Sequence, residues 1–233
     1  MRKTLIWVGA LAPTAFAAPL ASAETVVWGA QAEQFEYRLG ESDELLAWDF
    51  DAFVGTDELR LVWRSEAEYG LDESAFETLE NQARLQTPIS DFFDAVVGLR
   101  VDTPDGPDRV YGVLGVHGLA QQWIEIDADL FIAEDPTFRF EAEYEGLITN
   151  RITLTPSIEV DVPFTDDPEI GAGAWGPTLE VGARLSYDLV DRAISPYIGV
   201  HYERVFGESA ALAREDGEHV ESAFVVIGAR LSY

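Results

Sequence analysis

From Val26 to the end of the chain, apolar and polar residues alternate in stretches of about ten residues, the length a tilted membrane-crossing strand needs. The clearest stretch sets Leu59, Leu61, Trp63, Ala67 and Tyr69 against Arg60, Arg64, Glu66 and Glu68. The last places Val225, Ile227, Ala229, Leu231 and the terminal Tyr233 on one face. A period of two predicts strands, not helices. Twelve such segments are predicted, over residues 26–39, 45–55, 59–69, 75–87, 93–102, 109–119, 124–130, 138–145, 151–160, 178–187, 198–203 and 221–233. The sixth is apolar on both faces, so its pattern gives it no orientation.

Turn-forming residues separate the segments, as in Gly40-Glu-Ser-Asp43 and Thr87-Pro-Ile-Ser90. Alternate connections differ in length. If the first strand runs outward, the long ones, Pro163 to Ala174 and Gly207 to Glu218, fall on the outer side and most inner ones are tight turns, the asymmetry of outer-membrane barrels. Trp63, Tyr144, Tyr187 and Tyr233 then mark an inner aromatic girdle, with Tyr69 and Phe138 on the outer one. A soluble β-sandwich also alternates and turns at this spacing, but it needs neither the girdles nor a terminal aromatic. The expected fold is all-β: a single-chain transmembrane antiparallel up-and-down β-barrel of about 12 strands.

The N-terminus supports export. Arg2 and Lys3 precede an apolar run from Leu5 to Leu20, broken by Pro13, and Ala21-Ser-Ala23 offers a small-residue cleavage pattern. Residues 1–23 are therefore read as a signal peptide and 24–233 as one barrel domain. Removing that segment leaves arginine as the only basic residue and a net charge of −30. Nucleic acid is an unsuitable partner for such a chain, since phosphate binding needs clustered bases, whereas cations suit it. Without cysteine there is no disulfide, thiolate site or nucleophilic thiol.

Five strings, in order along nearly the whole mature chain, resemble the copper resistance protein B family of outer-membrane proteins. They are Trp28-Gly-Ala-Gln-Ala-Glu-Gln-Phe-Glu-Tyr-Arg38, Thr87-Pro-Ile-Ser-Asp-Phe-Phe-Asp94, Asn150-Arg-Ile-Thr-Leu-Thr-Pro-Ser-Ile-Glu159, Asp166-Asp-Pro-Glu-Ile-Gly-Ala-Gly173 and Ser195-Pro-Tyr-Ile-Gly-Val-His-Tyr-Glu-Arg-Val-Phe-Gly207. The resemblance implies a barrel in the outer membrane that takes part in copper tolerance beside a periplasmic multicopper oxidase or copper carrier. Family members often carry a Met- and His-rich segment before the barrel. Here Met1 is the single methionine, so a thioether site for Cu(I) is not expected.

Candidate metal ligands are then nitrogen and oxygen, which suit divalent copper. His201 and Glu203 share a face and are placed in the lumen, where His201 either binds metal or serves as a hydrogen-bonding residue. His219 belongs to an outer loop, and His117 is read as structural. Asp49, Asp51, Glu66, Glu68, Glu125, Asp127, Asp129, Glu141, Glu143 and Glu145 are expected to face inward, with Arg60, Arg64, Arg100, Arg139 and Arg184 meeting some of them. The surplus acids would draw cations; the plainer alternative is a ladder of salt bridges that plugs the interior. Asp166, Asp167 and Glu169 form a loop cluster in which oxygen ligands would suit Ca²⁺. No serine elbow accompanies any of the three histidines, so hydrolase chemistry is not expected. The leading function is a copper-resistance protein that binds or passes copper ions as part of copper homeostasis; the alternative is a general small cation-selective pore.

Overall fold

Strands with alternating faces satisfy their backbone groups in lipid only if the sheet closes on itself, and this one does. In the computed structural model, which describes residues 25–41, 44–72, 74–103, 107–190 and 192–233, one antiparallel sheet runs β1 (Val27–Leu39), β2 (Glu44–Gly55), β3 (Arg60–Gly70), β4 (Ala75–Pro88), β5 (Phe93–Asp102), β6 (Arg109–Leu119), β7 (Ile124–Ile132), β8 (Thr137–Tyr144), β9 (Gly146–Leu147), β10 (Ile152–Pro163), β11 (Thr178–Tyr187), β12 (Ile194–Val205) and β13 (Glu221–Ser232). Apart from the short β9, each strand pairs with the next in sequence, and β13 returns to β1, with Tyr37 opposite Ile227. β9 is a two-residue continuation of β8 past Glu145, and both pair with β10. The wall therefore has twelve strands, as the alternation predicts. The signal-peptide segment lies outside the described residues.

The outer face is an apolar band. Leu61, Trp63, Val97, Leu99, Leu114, Ile198, Val225 and Ile227 are all exposed, a contiguous apolar surface of the kind soluble monomers avoid. At the tight-turn end the rings of Trp28 and Tyr233 meet at 5.4 Å, near exposed Trp63, Tyr144 and Tyr187. At the other end Tyr69 packs edge-on against Phe76 at 5.1 Å.

β6 acquires the orientation its sequence lacks. Tyr111 and Val113 are buried inside with Val96 and Phe131, whereas Val110 and Leu114 face outward. The lumen thus contains a small apolar cluster, and the guanidinium of Arg100 lies 4.3 Å above the Phe131 ring, so a cation covers it. This is why both faces of β6 read as apolar.

The long connection before β13 holds a helix, α1 (Gly207–Asp216), which strand periodicity does not reveal. Ala210, Ala211, Leu212 and Ala213 are strong helix formers, and Gly217, at φ 82°, ends the helix in the left-handed conformation. Ser209 docks α1 onto the preceding long loop: its Oγ accepts from Gly173 N–H at 2.9 Å and donates to Gly176 O at 2.7 Å. Gly173 and Gly176 are required there, since a Cβ on either would lie 2.4–2.5 Å from the backbone around Ser209. The wide-loop mouth is thereby partly covered.

Val97 projects from the middle of β5 into the apolar band. Val97→Arg is expected to weaken folding into phospholipid vesicles by about 2–4 kcal/mol, the cost of a mid-membrane cation on a lipid face. An unchanged folding free energy in urea titrations would contradict the outward placement.

Candidate metal-binding lumen

Register decides which charges meet inside. Strand pairing sets Asp49 opposite Glu66, Glu66 opposite Glu80, and Glu80 opposite Asp102. A second run passes from Asp127 to Glu141, Glu159, Glu180 and Glu203 on β7, β8, β10, β11 and β12. Like charges directly opposite on neighbouring strands repel, so both runs need positive charge from elsewhere.

Arginines reaching across the lumen supply part of it. Arg139 lies 2.9 Å from Glu66, 3.2 Å from Glu80, and 3.1 Å from both Glu159 and Asp161. Arg64, on β3, crosses to Asp127 and Glu141, each at 3.6 Å, on strands of the opposite wall. Arg84 holds Asp127 and Asp129, both at 3.0 Å. Glu36 is fully engaged, accepting from Arg38, Arg184 and Tyr197 Oη. Gly115 gives Asp129 room to reach Arg84, since a Cβ there would stand 1.8 Å from Asp129 Oδ1.

The bracing does not fill the barrel. A cavity of about 1340 Å³ remains, lined by twenty acidic side chains and six arginines, from Asp72 and Glu218 at the wide-loop end down to Glu33, Glu125 and Glu143. Among the described residues no arginine lies within ion-pair distance of Asp49, Glu180 or Glu203, and Asp49 Oδ1 is a buried carboxylate oxygen without a hydrogen bond. The interior therefore combines a salt-bridge brace with a negative, open remainder.

The residues expected to bind metal share this interior but not one site. Asp49, Glu66, Glu68, Asp127, Glu141, Glu143, His201 and Glu203 all line the cavity, and exposed His219 stands at its mouth. Asp51 lies beneath Arg64, 3.4 Å from Nε. His201 is buried, but Arg38 Nη1 is 3.3 Å from its Nε2. A guanidinium donates and a carboxylate accepts, and Glu180 is 3.4 Å away on the same nitrogen, so in either tautomer Nε2 already faces a partner. His201 thus reads as a hydrogen-bonding residue of the brace. The loop acids are likewise engaged: Asp167 takes Arg109 at 2.8–3.0 Å, Glu169 takes it at 3.0 Å, and Asp166 accepts from Ala174 N–H. Arginine and backbone stand where the expected Ca²⁺ would.

Sequence reading passed over a closer grouping. Ligand atoms of His117, Glu125 and Asp127 all lie within 4.8 Å of one another, because β6–β7 register puts His117 opposite Asp127. The ambiguous faces of β6 concealed this, and resolving them from the alternation of β5 and β7 alone was the available signal. Glu80, Asp102, Glu159 and Glu180 stand on polar faces that the alternation does identify; what it does not give is their mutual register.

A closed twelve-strand wall, an apolar outside and an arginine-braced acidic inside define an outer-membrane β-barrel. The fold is similar to that of the NanC porin, with a TM-score of 0.55 at 11% identity, covering 88% of this chain and 99% of that one. The family model for copper resistance protein B precursor (CopB) matches residues 26–233, and the chain belongs to that family. A copper resistance protein B homolog of Pseudomonas syringae pv. tomato (strain ATCC BAA-871 / DC3000) is 34% identical over 202 residues, covering 86% of this chain and 68% of that protein. The copper resistance protein B of Escherichia coli is 29% identical over 201 residues, covering 85% and 67%.

Among the described residues, Arg84→Met leaves buried Asp129 without an arginine and Asp127 with Arg64 alone, and breaking a buried pair on one side costs about 3–5 kcal/mol. Urea unfolding of the variant should show that loss. Arg204→Met, which breaks a solvent-exposed pair with Glu221, should change stability by less than about 1 kcal/mol. Equal effects would mean that the lumen bridges carry no special weight.

Proposed function

We propose that this barrel confers copper resistance by binding copper ions in its acidic lumen and passing them across the outer membrane. The observation that carries this reading is the excess of cavity-lining carboxylates over arginines, concentrated where Glu180 and Glu203 face each other without an arginine partner. Membership of the copper resistance protein B family supplies the identity of the cation. A cleft lined by one sign of charge between low-dielectric walls concentrates counter-ions, and carboxylate and imidazole ligands suit the divalent ion. The arginines that cross the lumen make it a graded, charge-selective passage, narrower than the bore of a large porin.

Vesicles carrying the purified barrel and an entrapped copper-sensitive dye should fill with copper faster than empty vesicles. The double variant Glu180→Gln, Glu203→Gln should slow entry roughly tenfold, at the low end of electrostatic focusing. Potassium entry as rapid as that of copper, unaffected by the double variant, would replace the copper reading with a general cation pore. No entry of either ion would contradict passage altogether.

A further inference from the structure

The grouping at the tight-turn end of the lumen has the parts of a defined metal site. We propose that His117 Nε2 and the Glu125 carboxylate bind one divalent copper ion, with Asp127 orienting the imidazole. The site deepens the copper reading above and rests on it for the choice of metal.

His117 Nδ1 is 2.9 Å from Asp127 Oδ2. A carboxylate accepts, so Nδ1 carries the hydrogen and Nε2 keeps its lone pair, the arrangement in which a carboxylate fixes the tautomer of a metal-binding histidine. The lone pair of Nε2 meets no donor among the described residues; its ion-pair neighbour is Glu125 Oε1, 3.9 Å away. An ion midway between them stands about 2 Å from each, the usual length of metal bonds to imidazole nitrogen and carboxylate oxygen. Imidazole nitrogen and carboxylate oxygen are ligand types that suit Cu(II).

Asp127 is not free to be a principal ligand. Its Oδ1 takes Arg84 at 3.0 Å, and its Oδ2 is shared by His117 and Arg64. The brace therefore fixes Asp127, and Asp127 fixes the ring. Register gives a second, independent observation. Glu125 stands directly opposite Glu143 on β8, a like-charge pair in which Arg230 reaches Glu143, at 2.7 Å, and Glu145 but not Glu125. The side chain of Glu125 is 46% exposed and lines the cavity floor, so an ion descending the lumen reaches it. His201 differs, its Nε2 already engaged by Arg38 and Glu180.

The test is Cu(II) titration of the untagged chain in detergent, followed by electron paramagnetic resonance. One bound ion with coupling to a single imidazole nitrogen is expected. His117→Ala should abolish that coupling, whereas His201→Ala and His219→Ala should retain it. Glu125→Gln should weaken binding at least tenfold, and Asp127→Asn by about 10–100-fold, the range for a supporting carboxylate. His117→Gln serves if the alanine variant fails to fold, as judged by heat-modifiable migration on gels. Imidazole coupling that survives in the His117 variant, or is absent from the unaltered protein, overturns the site. Copper entry into vesicles that persists alongside such a result leaves the transport reading standing; loss of both contradicts both.

Discussion

The closure of the sheet is the constraint on which everything else depends. Once β13 pairs with β1, every residue has only two directions to face. Lipid claims the apolar set, so the charges are confined to a narrow cylinder in which they can neither disperse nor remain fully hydrated. Face-to-face carboxylates from Asp127 to Glu203 are the consequence of one repeated parity on successive strands, and they could not be tolerated without guanidinium groups spanning the bore. The planar, multiply donating head of arginine suits that task, and no lysine follows Lys3 in the sequence.

The brace and the function draw on the same charges. Carboxylates held by Arg64, Arg84 and Arg139 are committed to structure, whereas Asp49, Glu180 and Glu203 have no such arginine partner among the described residues and add to the negative potential of the cavity. His201 shows the difference within one residue type. It is placed inside as its sequence parity indicates, yet Arg38 and Glu180 both engage its Nε2. His117, whose partner is an acceptor, keeps its ring nitrogen for a metal.

Most of the wall was legible from alternation alone, because a period of two is a direct record of the two environments. The bounds of β6 and β11 agree with their predicted segments at both ends, and β12 exceeds its prediction by four residues at one end and two at the other. Three things were not legible. The helix α1 obeys a different period and lies in a connection. β6 hides its inner face because Tyr111 and Val113 pack against Phe131, under Arg100. Finally, a one-dimensional pattern places Asp127 inward but leaves His117 unoriented, and it does not say that the two stand opposite each other; that follows from register, which is set by turn lengths and packing. The loop acids Asp167 and Glu169 illustrate the same gap, since their partner Arg109 lies far away in sequence.

On the function proposed above, copper occupies the interior of the closed barrel, held by the carboxylates and imidazole that arginine leaves uncommitted. Diffraction from copper-soaked crystals at energies on either side of the copper absorption edge tests it most directly. The account predicts anomalous density within the lumen, beside Glu125 or between Glu180 and Glu203. Anomalous density confined to the outer loops, with none inside the wall, would contradict it.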